Sequence, residues 1–198
     1  VCMNEFGVVI AGTSSSDVYQ LFGQNKSSQL LQAHFEGELR GLSAHPVDSK
    51  LFATSGDDKT VRIWNSSTKK LITMQKLDMP SRACTFSNCG SRIVCGFGAK
   101  SDTGGTTKNG AYVVFESKDM TLVHEDRPSR VAITALRYST SGDHIAIVSD
   151  KKIYITSSLD FQTRAVVSNH NSAVTHFDFS ADSKHLRTNT AQNELKFF

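Results

Sequence analysis

The chain has 198 residues, of which 38% are hydrophobic and 21% charged, a composition typical of a soluble globular protein. Its 22 basic and 19 acidic residues leave a net charge of +3, which is too small to favour nucleic acid or a membrane surface as a partner. No apolar run reaches the roughly 18 residues that a membrane-spanning helix needs.

Short apolar or β-branched runs, broken by turn residues, recur along the chain and predict an all-β fold. The first strands are expected over 8–13, 18–22 and 29–32, so that the chain enters in the second strand of its first unit. No segment shows a convincing helical period. The strands of the four later units are predicted over 39–44, 51–55, 60–65 and 70–75; 82–86, 92–97, 111–116 and 120–124; 131–138, 144–149, 152–157 and 164–168; and 173–179, 185–189 and 194–198.

Tight turns rich in Gly, Asn, Asp or Ser join the first two strands of each later unit. They begin at His45, Ser87, Ser139 and Ser180, which are 42, 52 and 41 residues apart. A period of about 40–45 residues with four short strands per unit is typical of a β-propeller blade. We therefore predict an incomplete propeller of three full four-stranded blades and two partial ones. The predicted blades are 1–33, 34–76, 77–126, 127–169 and 170–198.

The one long spacing indicates an insertion over 99–109, which is polar, rich in glycine and without periodicity. The insertion joins the second and third strands of its blade, at the rim where propellers usually bind partners. Its lysines, Lys100 and Lys108, are therefore candidate partner-binding residues. A variable, solvated loop is the alternative interpretation.

The innermost strands alternate apolar and polar side chains. Apolar residues such as Leu39 and Leu42 are expected to pack on the neighbouring blade. Polar residues between them, such as Ser43 and Asp178, are expected to face the central channel, or else simply solvent. The candidate partner-binding residues in these strands are Arg40, Arg137 and His176.

The cysteines favour a reduced, cytoplasmic protein, because they show neither CxxC pairs nor the density of a disulfide scaffold. Zinc binding by Cys84, Cys89 and Cys95 is an alternative, but Cys84 and Cys95 lie in apolar strand patterns where cysteine packs as a small hydrophobe. The histidines have no HxH or HExxH spacing, and the glycine-rich insertion lacks a phosphate-loop motif. We expect no metal and no cofactor.

The segment from Ser55 to Trp64, SGDDKTVRIW, resembles the end of a WD40 repeat. That resemblance implies a hydrogen-bonded tetrad formed by His34, either Ser55 or Thr54, Asp58 and Trp64. An Asp/His/Ser set could also belong to a hydrolase, but the sequence has no GxSxG nucleophile elbow, which favours a structural role. The other units keep only parts of this pattern.

Longer segments are similar to the echinoderm microtubule-associated protein-like (EMAP-like) family. They are EGELRGLSAHP over 36–46, the Trp64 segment, and the stretches 136–149 and 173–198, which lie in the family's order. The sequence departs from the family pattern at Arg40, where the family has Trp, at Asn65, where it has Asp, and in the insertion. The resemblance implies tandem propellers with further blades after position 198, and association with tubulin or microtubules.

The sequence thus predicts a non-enzymatic WD-repeat scaffold of the cytoplasm and cytoskeleton, with protein partners that include tubulin or microtubules. Neither nucleic acid nor a membrane is expected as a partner. One alternative is a WD40 adaptor of a ubiquitin ligase or a trafficking complex; another is an enzymatic propeller using Arg137, His176 and Asp178 in its channel. Open blade edges would also allow self-association.

Overall fold

The computed structural model describes residues 1–3, 9–13, 17–22, 26–31, 33–34, 37–99 and 108–198. These residues form separate antiparallel β-sheets, and within each sheet the strands that follow one another in the chain pair with one another. The all-β prediction is confirmed. Within the described ranges, no helix is long and apolar enough to cross a membrane.

Five sheets follow one another along the chain. The first contains β1 (Cys2–Met3), β2 (Val9–Gly12), β3 (Val18–Leu21) and β4 (Ser27–Leu31). The second contains β5 (Leu39–Ala44), β6 (Leu51–Gly56), β7 (Thr60–Asn65) and β8 (Lys70–Lys76). The third contains β9 (Ser81–Phe86), β10 (Arg92–Phe97), β11 (Tyr112–Glu116) and β12 (Leu122–Asp126). The fourth contains β13 (Ile133–Tyr138), β14 (His144–Ser149), β15 (Lys152–Ser157) and β16 (Thr163–Val167), and the last contains β17 (Val174–Phe179), β18 (Leu186–Thr190) and β19 (Leu195–Phe197).

The first sheet has one strand more than the sequence pattern predicts. Cys2 pairs with Ile10 and Met3 with Val9, so the two-residue strand β1 completes a four-stranded sheet. A run of two residues is too short to show the alternation from which a strand is predicted. Four sheets in the described ranges therefore have four strands, and the last has three.

Hydrophobic cores lie between consecutive sheets from the second to the last. Strand β10 shows how one strand serves two of them, because neighbouring side chains point to opposite faces. Ile93 and Cys95 pack toward the second sheet, whereas Val94 packs toward the fourth, and all three are fully buried. Burial raises the pKa of the Cys84 thiol to about 12 and holds the pKa of the Cys95 thiol well above its usual value, so both thiols stay protonated.

Gly96 allows the third and fourth sheets to approach closely. A Cβ atom at this position would lie 2.4 Å from Ile133 Cγ2, far inside van der Waals contact. The strand can therefore carry only glycine here without displacing β13. Glycine in a strand interior often marks such a close approach.

The expected packing of Leu39 and Leu42 is wrong. Both side chains are exposed, at 54% and 71%, because the register of β5 against β6 shifts between Leu39 and Gly41. Gly41 and Ser43 consequently face the third sheet, where the Phe86 N–H donates a hydrogen bond of 3.2 Å to Ser43 Oγ. The alternation predicted that Ser43 faces the channel, but its side chain faces the third sheet instead.

The sheets from the second to the last pack against one another in chain order. Their principal contacts join β5 and β6 to β9, and β9 and β10 to β13, while a shared core joins the fourth sheet to the last. Among the described residues, none of the principal strand contacts joins the first sheet to the last. The prediction of an incomplete propeller is confirmed.

Candidate functional site: a buried hydrogen-bond network and the propeller rim

A chain of hydrogen bonds crosses the second sheet. The Trp64 indole N–H donates to Thr54 Oγ1 over 2.7 Å, and Thr54 Oγ1 lies 2.7 Å from His34 Nε2. On the other side of the ring, His34 Nδ1 lies 2.8 Å from Asp58 Oδ2. If Nδ1 carries the imidazole proton, every donor in this chain finds an acceptor. The network ties the segment between β4 and β5 to β6, β7 and the turn between them.

Thr54, and not Ser55, supplies the hydroxyl group. Thr54 pairs with Arg62 across the strands and lies on the same face of the sheet as Trp64. Ser55 points to the opposite face, where its Oγ accepts a 2.9 Å hydrogen bond from Ser81 Oγ. The prediction that Ser55 takes part in the network is therefore wrong, since a shift of one residue along a strand changes the face of the sheet.

Two residues that the sequence did not single out complete the network. Arg62 Nη2 donates to Asp58 Oδ2 over 3.1 Å and its Nη1 donates to Ala33 O over 2.6 Å. The Thr60 hydroxyl donates to the same carboxylate over 2.8 Å. The signal in the sequence was the alternation Thr60-Val61-Arg62, which places both polar side chains on the face of Trp64. Asp58 and Arg62 are both buried, so each compensates the charge of the other.

The His34 ring is held neutral. Burial lowers its pKa below the ordinary value for histidine, against the raising effect of the hydrogen bond and the negative charge of Asp58. The positive charge of Arg62 lowers the pKa further. The arrangement therefore links strands by neutral and paired groups, and the buried Thr54 hydroxyl is fully engaged within it.

Stability should decrease as the pH falls below about 6.5, where the unfolded chain takes up a proton on His34 before the folded chain does. The direction follows from the lowered pKa in the folded state, which makes the unfolded state bind more protons in this window. We expect the His34→Gln variant to lose less free energy of unfolding than the wild type between pH 7.5 and pH 5.5, as measured by urea denaturation.

The matched control is His176→Gln, because His176 is exposed. This variant shows how far a change of histidine to glutamine alters the pH dependence outside the network. The prediction fails if His34→Gln and His176→Gln show the same change in unfolding free energy between the two pH values.

Of the two lysines predicted at the rim, Lys108 lies among the described residues and forms ion pairs. Lys108 Nζ lies 2.5 Å from Asp78 Oδ2 and 2.6 Å from Glu125 Oε1, and these hydrogen bonds raise the pKa of the lysine. Its charge is therefore already compensated within the chain. Lys100 lies outside the described residues.

The candidates on the inner strands occupy two places. Arg137 and His176 line the same open groove of about 460 Å³, in which Arg137 Nη1 donates to Asp178 Oδ1 over 2.7 Å. Arg40 does not line this groove and forms an ion pair with Glu38. The structure thus brings Arg137, His176 and Asp178 together, apart from Arg40 and Lys108.

No group of three or more His, Cys, Asp or Glu side chains in the described part of the chain is placed to hold a metal ion. The chemistry that these residues offer is hydrogen bonding and ion pairing at the surface. The hydrogen-bond network is buried and structural in its geometry.

Comparison with known proteins shows where the chain belongs. Residues 39–198 match the family model of the echinoderm microtubule-associated protein second beta-propeller. The 77 kDa echinoderm microtubule-associated protein of Strongylocentrotus purpuratus is 33% identical over 85% of this chain, which spans 24% of that relative. Echinoderm microtubule-associated protein-like 1 of Homo sapiens is 29% identical over 96% of the chain, which spans 23% of it.

A ciliary protein is also similar to nearly the whole of this chain. The ciliary WD repeat-containing protein ctxp80 of Euplotoides octocarinatus is 26% identical over 97% of this chain, which spans 28% of that protein. The chain thus spans about a quarter of the length of these relatives, as their shares of 24%, 23% and 28% show. On the family match over 39–198, which agrees with the five-sheet fold, this chain belongs to the echinoderm microtubule-associated protein family and carries part of its second β-propeller.

Proposed function

We propose that the chain is a non-enzymatic scaffold that binds protein partners of the microtubule cytoskeleton, tubulin among them, in the cytoplasm. The observation that carries this proposal is the match of residues 39–198 to the second propeller of microtubule-associated proteins. The relatives' names describe microtubule association, and the chain shares most of its length with them.

The use of the polar groups supports a role without catalysis. His34, Thr54 and Asp58 form a set of the kind that serves hydrolases, but here each side chain is bonded to the others or to Trp64 and Arg62. Thr54 is only 4% exposed, so its hydroxyl offers no nucleophile to a substrate. A catalytic nucleophile must contact the reacting atom of the substrate in addition to the general base that activates it.

The architecture supports a binding role. Cores between the sheets hold the strands, while the connecting turns lie at the two rims of the blades. Loops positioned by a rigid scaffold are where binding residues concentrate. Association through such rims requires no catalytic group.

Co-sedimentation with polymerised tubulin tests the proposal. The full chain should enter the pellet only when microtubules are present, with a bound fraction that saturates as their concentration rises. A parallel run with unpolymerised tubulin on a gel-filtration column tests for binding to the soluble dimer. A chain that neither sediments with microtubules nor elutes with soluble tubulin contradicts the proposal.

A further inference from the structure

A groove of about 650 Å³ on the rim between the third and fourth sheets is lined by several basic side chains. One wall is the loop from β12 to β13, and the other is the turn from β14 to β15. We name it the basic groove and define it by Arg127, Arg130, Lys151 and Lys152. Among the described residues that line it, Asp150 is the one carboxylate. Four cations against one anion leave an excess of three positive charges, equal to the net charge of +3 carried by the whole chain.

The four cations of the basic groove have no ion-pair partner among the described residues. All four side chains are exposed. Elsewhere on the same surface Lys108 is bonded to two carboxylates. A concave surface lined by charges of one sign attracts ligands of the opposite sign, and such charges repel one another until a ligand compensates them.

Hydrogen bonds hold one wall of the basic groove in place. Arg127 Nε donates to Asn109 O over 3.0 Å, which joins this wall to the end of the insertion. The Ser149 hydroxyl lies 2.8 Å from both Ser129 Oγ and Val131 O, and so joins the loop to the end of β14. These contacts fix the distance between the two walls.

The last sheet holds the other wall. The Val174 N–H donates to Asp150 O over 2.9 Å, and His170 Nδ1 lies 3.0 Å from Lys151 O. The backbone that presents Lys151 and Lys152 is therefore anchored before any ligand arrives. A preorganised site loses less conformational entropy on binding than a mobile one.

We infer that the basic groove binds an acidic peptide segment of a protein partner. The inference rests on the proposed function and deepens it, since it names the chemistry of the partner and the place that receives it. A peptide fits the observations better than a nucleic acid does, because the described part of the lining offers only the half-buried Tyr154 as an aromatic ring. Proteins that bind single-stranded nucleic acid combine a basic track with several stacking rings.

Fluorescence anisotropy of a labelled poly-glutamate peptide, titrated with the full chain at low salt, tests the inference. The groove variant is Arg130→Glu combined with Lys152→Glu, which reverses one charge on each wall. Its affinity for the peptide should fall about tenfold or more relative to the wild type. Rising salt should weaken the wild-type complex, since both partners are charged and exposed.

The control variant combines Lys118→Glu with Lys184→Glu. It makes the same change in net charge at exposed lysines on the opposite rim, in the turn from β11 to β12 and the turn from β17 to β18. Its affinity should stay within about twofold of the wild type. Thermal unfolding of both variants shows whether each retains the fold.

Three outcomes overturn the inference: no binding of the peptide by the wild type at low salt, equal losses in the two folded variants, or tighter binding of a labelled oligothymidylate that is lost in the groove variant. The microtubule experiment separates the two proposals. Groove-dependent peptide binding without any binding of tubulin contradicts the proposed partner and leaves the acidic-peptide site supported. If the groove variant still binds microtubules and its affinity for the peptide is unchanged, the acidic-peptide site is contradicted and the proposed partner is not.

Discussion

Replacing Asp58 by alanine is expected to lower the free energy of unfolding by about 3–5 kcal/mol, a large part of the total stability of a typical domain. The carboxylate accepts hydrogen bonds from His34, Thr60 and Arg62 in a buried position. Its removal leaves the Arg62 guanidinium, whose side chain is 6% exposed, without its negative partner. An uncompensated buried charge costs more than the lost ion pair contributed.

Equilibrium urea denaturation at neutral pH measures the effect. Asp143→Ala is the matched control, because Asp143 is exposed, and it should change the stability by less than about 0.5 kcal/mol. The double variant Asp58→Ala with Arg62→Met should be more stable than Asp58→Ala alone, since it removes both charges. Equal stabilities of Asp58→Ala and Asp143→Ala would show that the network does not support the fold.

Replacing Phe97 by alanine is expected to cost about 3–5 kcal/mol of unfolding free energy. The Phe97 ring is 1% exposed and belongs to the core between the second and third sheets. It also lies next to the register shift after Gly96, where the Phe97 N–H donates to Ala111 O over 2.9 Å. Truncation leaves a cavity that cannot close fully, because the paired strands around Phe97 keep their positions.

The control is the same change of phenylalanine to alanine at an exposed position. Phe197 is 68% exposed, so Phe197→Ala should cost less than about 1 kcal/mol. Urea denaturation of both variants gives their midpoints and slopes, and similar slopes would allow a direct comparison. A loss in Phe97→Ala no greater than that in Phe197→Ala would contradict the assignment of the core.

The sequence pattern was sufficient for every strand except the two-residue β1, and for His34, Asp58 and Trp64 in the network. Strand alternation and the turns at a regular spacing predicted the sheets, and the segment that ends at Trp64 placed His34, Asp58 and Trp64 in one network. It left the hydroxyl undecided between Thr54 and Ser55. The pairing of Thr54 with Arg62 decides it, because adjacent residues of a strand lie on opposite faces.

Exposure and charge compensation depended on residues far away in the sequence. Leu42 is exposed because the register shift in β5 turns Gly41 and not Leu42 toward the third sheet. Lys108 is compensated by Asp78 and Glu125, which lie 30 and 17 residues away along the chain. Neither relation can be read from the neighbouring residues, since both arise when separate strands pair.

The sequence by itself therefore determined the all-β class, the repeat and the family, because these depend on side-chain alternation and on short motifs within each unit. Only the tertiary structure decided which polar groups meet. Among the described residues, it left the cations of the basic groove without an ion-pair partner although the chain as a whole is nearly neutral. The physical reason is that hydrogen bonds and ion pairs act over a few ångströms in space, and the packing of one blade against the next sets those distances.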